Sequence, residues 1–165
     1  MKKERAMTTD RPPEIQRGLV FEQQPIGQRW RTQRRTVSEF DLMSFATTCG
    51  FNEELFMNAE APVALGFKGR LIPGALTLAL AEGLVISSGA LSGTGLAFLG
   101  GNLEIKAPVV VGDTLEVWVE VIEARMTSKG DRGVIKTRNE VRNQLGEIVL
   151  IFTPSRMIKS GAKNF

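Results

Sequence analysis

One segment of the sequence limits the possible folds more than any other. Ala75 to Ser87 carries six large aliphatic residues, interleaved mainly with alanine and glycine, at spacings that favour a helix. Such a helix is apolar on nearly every side, and a helix of this kind is buried on most of its faces. We therefore expect the rest of the chain to supply a layer that wraps around it.

The sequence after Gly95 predicts strands that can form this layer. Apolar residues alternate with Glu116, Trp118 and Glu120, which places the two kinds of side chain on opposite faces of one strand. Glycine-containing turns separate the segments. The predicted strands are Leu96–Lys106, Thr114–Ile122, Val134–Arg142 and Glu147–Thr153. We predict an α+β fold in which an antiparallel sheet wraps around the central buried helix.

The first half of the chain predicts an arm, a polar strand and a short helix. Residues 1–17 are charged and contain Pro12-Pro13, so we expect a flexible basic N-terminal arm. We expect one domain at residues 18–158, followed by a tail at 159–165. Four arginines between Gln28 and Val37 indicate a solvated edge strand or a strand facing a second copy.

Ser38 and Asp41 form a capping pattern for a short helix, and Gly50 is placed to terminate it. The following stretch, residues 51–70, contains prolines and glycines that predict irregular structure.

Composition excludes several classes of function. The chain has no histidine, so it contains no histidine base and no histidine-ligated metal site, and we expect no metal. Its net charge is +3, of which residues 1–17 supply +2 through five cations and three anions, which argues against a nucleic-acid surface. The single cysteine, Cys49, cannot form a disulfide within the chain, which favours a cytoplasmic protein. No apolar run approaches the roughly 20 residues that are needed to span a bilayer, so we expect no membrane segment.

Four stretches of the sequence carry a resemblance to a known family. They are Gly18-Leu19-Val20-Phe21 with Ile26-Gly27-Gln28, Thr36-Val37-Ser38-Glu39-Phe40-Asp41 with Phe45-Ala46, Gly69-Arg70-Leu71-Ile72-Pro73-Gly74, and Ala107-Pro108-Val109-Val110-Val111-Gly112-Asp113-Thr114. In this order they resemble the MaoC-like acyl dehydratase/hydratase family, from about Gly18 to Thr153. The resemblance implies a single hot-dog domain that adds water reversibly to an enoyl thioester, usually of coenzyme A. An acyl-CoA or acyl-carrier thioester is then the expected substrate or ligand, with no other cofactor.

The sequence departs from the family pattern where the family places its catalytic Asp and His. Alignment without a gap puts Phe51 and Phe56 at these two positions, and a shift by one residue puts Gly50 and Leu55 there. Phenylalanines transfer no protons but can line an apolar acyl tunnel.

The neighbouring positions also differ from the family pattern. The loop contains Asn52, Glu53 and Glu54, which either form a displaced carboxylate site or are simply solvated. Pro73 stands where the family usually has a histidine. The predicted substrate-binding residues are Phe51, Asn52, Phe56 and Pro73.

Two further residues are candidates for chemistry. By resemblance, the N–H of Gly74 at the helix start binds the thioester carbonyl, although Gly74 can also simply begin the helix. Glu82 is the only ionisable residue between Ala75 and Ser88, so it is either a catalytic base or the partner of an arginine such as Arg31 or Arg34.

Three hypotheses for function remain open at this point. The protein binds acyl-CoA as a family member without the usual dyad, or it is a thioesterase that uses Gly74 and Glu82, or it is a non-catalytic subunit of a hetero-oligomeric dehydratase. Lys68, Arg70 and Lys106 are candidates for contacts with coenzyme A phosphates. In each case we expect at least a homodimer, because one sheet of this kind leaves an open edge and a cleft beside its helix.

Overall fold

The computed structural model of the chain describes residues 11–15 and 17–162. The helices are α1 (Glu39–Cys49), α2 (Glu54–Met57), α3 (Glu60–Ala64) and α4 (Gly74–Ser87), preceded by a 3-10 turn at Phe21–Gln23. The strands are β1 (Arg29–Arg31), β2 (Arg35–Thr36), β3 (Gly95–Ile105), β4 (Thr114–Met126), β5 (Arg132–Arg142) and β6 (Ile148–Lys159).

The long strands form one antiparallel sheet in the order β1-β4-β5-β6-β3, and β2 pairs with the start of β4 beside β1. The inner face of the sheet packs on α4, which confirms the predicted α+β design of a sheet around a central helix. The shared core contains Leu76, Leu80 and Leu84 of α4 with Val117, Val119, Val141, Leu150 and Phe152 of the sheet.

The sheet covers α4 less completely than the apolar sequence predicts. Leu76, Leu80 and Val85 are buried, whereas Ala75, Ala79 and Ile86 are exposed, with Ile86 at 59%. The physical reason is that a single layer reaches only one side of a helix. No helix in the described part of the chain is long and apolar enough to cross a membrane.

The two edges of the sheet differ in how they are covered. At the β1 edge, the backbone N–H of Arg31 donates to the carbonyl of Pro13 at 2.9 Å, and Glu14 forms a parallel bridge with Arg31. Part of the predicted arm, residues 11–15, thus lies against the sheet, while residues 1–10 fall outside the described residues. At the other edge, β3 is exposed along almost its whole length.

The short helix predicted from its capping residues is α1. The side chain of Ser38 accepts from the N–H of Asp41 at 3.2 Å, and Oδ2 of Asp41 accepts from the N–H and hydroxyl of Ser38 at 2.8 Å. Burial raises the pKa of the Asp41 carboxyl, but these bonds and the nearby Arg35 guanidinium outweigh it and lower the pKa. The carboxylate is therefore charged at neutral pH and stabilises the positive end of α1.

The segment after α1 is more regular than its breakers predict. It contains the short helices α2 and α3, with Pro62 buried within α3. Short helices of this kind have little periodicity of their own and are fixed by their contacts with the core.

Candidate functional site

The candidate site begins at the first turn of α4. Pro73 is the N-cap residue and provides no side-chain hydrogen bond to the helix, while its carbonyl accepts from the N–H of Thr77 at 3.0 Å. The first N–H groups of an α-helix have no partner within the helix, so those at Gly74 carry the positive end of the dipole. This arrangement can accept the partial negative charge of a carbonyl oxygen.

Gly74 also permits a close approach of β3 to the helix start. A Cβ atom at this position would lie 3.0 Å from Cδ1 of Ile105, which is tighter than ordinary van der Waals contact. The glycine therefore allows the edge strand to lie next to the first turn of α4.

Phe51 and Phe56, which the sequence resemblance aligns with the family's dyad positions, belong to an aromatic cluster. Gly50 has a left-handed conformation, and the N–H of Phe51 donates to the carbonyl of Ala46 at 2.8 Å, which turns the chain back over α1. The ring centroids of Phe45 and Phe51 are 5.1 Å apart, and those of Phe51 and Phe56 are 6.2 Å apart. These contacts make an apolar wall and offer no proton donor or acceptor.

Arg70 ties this wall to α1. Its guanidinium donates to the carbonyl of Phe56 at 3.0 Å and to that of Met57 at 3.1 Å, and it also pairs with Glu39. With these contacts, the guanidinium serves to position α2. The sequence pattern places Arg70 next to the helix start but contains no signal for its partners, which lie up to 31 residues away.

The acidic residues beside the aromatic cluster face solvent. Asn52, Glu53 and Glu54 are all exposed, and Glu54 accepts a hydrogen bond from Asn58 at 2.7 Å. In the described chain these three side chains are solvated, which is one of the two sequence alternatives. No group of three His, Cys, Asp or Glu side chains in the described ranges is placed to hold a metal ion.

Glu82 pairs with an arginine, as one of the two sequence alternatives expected, but its partner is Arg156 on β6. Nη2 of Arg156 donates to Oε1 and Oε2 of Glu82 at 2.7 and 2.5 Å, and Nη1 donates to Thr137 at 3.3 Å. The two arginines named from the sequence, Arg31 and Arg34, instead lie 3.4 and 3.6 Å from Glu116. The prediction that Arg31 or Arg34 pairs with Glu82 is therefore wrong, because both arginines lie with Glu116 on the outer face of the sheet, away from α4.

Two polar residues of the inner layer were missed by sequence reasoning. Arg156 follows Thr153, where the predicted strand ends, so the alternation that would place it on the inner face was not extended far enough. Asn139 is fully buried between β4 and β6, and its amide has no hydrogen-bond partner among the described residues. The sequence signal that could have placed Asn139 on the inner face is its two-residue spacing from Thr137 and Val141, which are both buried.

Comparison with known proteins identifies the family. The family model of the MaoC like domain matches residues 21–144, most of the chain. The chain belongs to the MaoC-like family. A search of curated proteins found no match.

Solved structures agree with this assignment. This MaoC-like chain is 29% identical to a structure described as the monoamine oxidase regulatory protein of Archaeoglobus fulgidus, with a TM-score of 0.78 and coverage of 88% of this chain and 97% of that one. It is 28% identical to the R-hydratase PhaJ1 of Pseudomonas aeruginosa, with a TM-score of 0.69 and coverage of 86% of both chains.

A third structure supports the fold alone. It is Rv0216 of Mycobacterium tuberculosis, described as a double hot-dog fold, which is 22% identical with a TM-score of 0.77 over 90% of this chain and 46% of that one. The predicted single hot-dog domain is thereby confirmed.

The Glu82–Arg156 pair generates a prediction for stability. The side chains are only 23% and 7% exposed, so Glu82→Gln leaves Arg156 as a nearly buried cation without its counter-charge. Because removing one partner of a buried pair costs about 3–5 kcal/mol, we expect a loss near the lower end of that range in urea unfolding. Replacing both residues by methionine removes both charges and should restore most of the lost stability. Equal losses in the single and double variants would contradict this account of the pair.

Proposed function

We propose that this MaoC-like protein binds an acyl thioester of the coenzyme A type, with the thioester carbonyl at the N–H of Gly74. The observation that carries the proposal is the start of α4, where an N-cap proline leaves the first N–H groups without a side-chain partner, next to the apolar side chain of Ile105 on β3. The similarity to an R-hydratase supports the same ligand class.

In this proposal the protein does not add water to enoyl thioesters by the family's usual chemistry. Hydration needs positioned groups to activate water and to protonate the α-carbon. The chain contains no histidine, and Phe51 and Phe56 stand where the resemblance places the catalytic pair. The Phe51 ring packs against the rings of both Phe45 and Phe56, and this apolar cluster is suited to hold an acyl chain.

The geometry favours thioester binding over the thioesterase alternative. Glu82 lies eight residues beyond Gly74, a rise of about 12 Å along the helix, and both of its oxygens accept from Arg156. A general base must reach the reacting water near the carbonyl. Glu82 is therefore poorly placed to activate water for attack there.

The exposed edge strand β3 favours a second copy of the chain as the binding partner. The β1 edge is covered by residues 11–15, whereas within the described residues β3 pairs with β6 on one side only and has exposed side chains, including Leu96 and Leu99 at 45% and 50%. Exposed apolar edge strands pair readily with another strand. We infer a homodimer through β3, and a partner subunit that carries its own Asp and His is the alternative.

The first test measures binding and hydration on the same purified protein. We expect acyl-CoAs to bind, while crotonyl-CoA hydration is slower than that of a dyad-containing R-hydratase by at least roughly 10²–10⁴-fold. Absorbance of the enoyl thioester reports hydration, and calorimetry reports binding.

Two results would contradict the proposal in different ways. Robust hydration by the homo-oligomer would show that other groups supply the chemistry. Failure to bind any acyl-CoA would remove the ligand assignment, and a co-purifying protein with the missing Asp and His would then support the subunit hypothesis.

The second test addresses the N–H of Gly74 with a matched pair of variants. Gly74→Ala and Gly74→Pro both add a Cβ atom near Ile105, but only proline removes the N–H, and proline is well tolerated at the first position of a helix. We expect Gly74→Pro to bind acyl-CoA about fivefold to tenfold more weakly than Gly74→Ala, as loss of one hydrogen bond of about 1 kcal/mol predicts.

Free coenzyme A is the control ligand for this comparison. It has no acyl carbonyl, so the two variants should bind it equally. Equal acyl-CoA affinity in both variants would exclude the Gly74 N–H as the carbonyl donor.

A further inference from the structure

An exposed apolar strip runs along α4 from Gly74 towards Glu82. On the helix side it consists of Ala75, Leu78 and Ala79, of which the two alanines are exposed. On the sheet side, Leu103 and Ile105 of β3 pair with inner-face residues of β6 and so lie on the same face of the sheet. They are 45% and 54% exposed, because α4 does not cover this edge of the sheet.

The strip ends at a set of charges that joins three elements. Glu82 of α4 is held by Arg156 of β6, and the Arg156 guanidinium carbon lies 5.8 Å from the centre of the Phe98 ring on β3. Both side chains of the pair are largely removed from water, at 23% and 7% exposure. The apolar surface is therefore bounded by Gly74 at one end and by an ion pair at the other.

The distance between Gly74 and Glu82 sets the length of acyl chain that the strip can hold. Eight residues of α-helix rise about 12 Å. Helix side chains lean towards the N terminus, so the Glu82 carboxylate lies nearer to Gly74 than its Cα does. An extended hydrocarbon chain advances about 1.25 Å per carbon, given C–C bonds near 1.5 Å. The strip thus accommodates a chain of about six to eight carbons.

We propose that the Glu82–Arg156 pair is the distal wall of the acyl site and restricts the ligand to thioesters with about eight acyl carbons or fewer. The inference rests on the proposed binding of acyl thioesters at Gly74. Its physical basis is that a longer chain must press methylene groups against the pair, which removes the remaining water from two charges and offers no hydrogen bond in return.

The test is the affinity of the wild-type protein for saturated acyl-CoAs from four to fourteen carbons. Each added methylene that is buried increases affinity by up to about fourfold. We expect affinity to rise up to about eight carbons and then to level off or fall. A continued rise to twelve or fourteen carbons would overturn the inference.

A double variant tests whether the ion pair sets the limit. In Glu82→Met/Arg156→Met the wall becomes apolar without leaving a buried charge. We expect dodecanoyl-CoA to bind at least tenfold more tightly than to the wild type, with hexanoyl-CoA unchanged within about twofold. The matched control is Glu123→Met/Lys136→Met, which removes a 2.8 Å ion pair from the outer face of the sheet and should leave the length profile unchanged.

The possible results separate this inference from the proposed function. If the wild type binds short acyl-CoAs but the double variant keeps the wild-type length limit, the pair is not the wall. If the outer-face control changes the profile as much as the double variant does, the assignment to Glu82 and Arg156 is also wrong. If the wild type binds no acyl-CoA of any length, the proposed function itself fails.

Discussion

The incomplete burial of α4 is the constraint on which the rest of the structure depends. One face of the helix, with Leu76, Leu80 and Leu84, packs into the curved sheet and forms the core. The opposite face, with Ala75 and Ala79, has no covering layer in the described chain. Exposed apolar faces of this kind mark ligand-binding grooves or interfaces with another protein. The same incomplete cover leaves the helix start at Gly74 only partly buried, so the fold and the proposed site have one physical origin.

The Glu82–Arg156 pair fixes how α4 sits on the sheet. An apolar helix on an apolar layer has many nearly equivalent positions, because the hydrophobic effect is not directional. The two hydrogen bonds from Arg156 to Glu82, supported by Thr137, define one position along the helix. That position also decides where the apolar strip beginning at Gly74 ends. In this account one ion pair contributes to the unique packing of the core and to the shape of the acyl site.

The sequence predicted the parts of this structure that depend on local periodicity. The helical pattern from Ala75, the capping residues at Ser38 and the alternation from Thr114 each led to the correct element, although β4 and β6 extend further than predicted. The partner of Glu82 was not predictable in the same way, because Arg156 is 74 residues away and is selected by strand register. The Arg70 contacts that position α2 were not predictable either, because they join residues that are far apart in the sequence.

A crystal structure of the protein with hexanoyl-CoA tests the central claim most directly. The account predicts the thioester carbonyl oxygen about 2.9 Å from the Gly74 nitrogen, with the acyl chain along Ala75 and Ala79 towards Glu82. It also predicts two copies joined through their β3 edges. An acyl group bound elsewhere on the protein, with the Gly74 N–H facing solvent, would contradict the account.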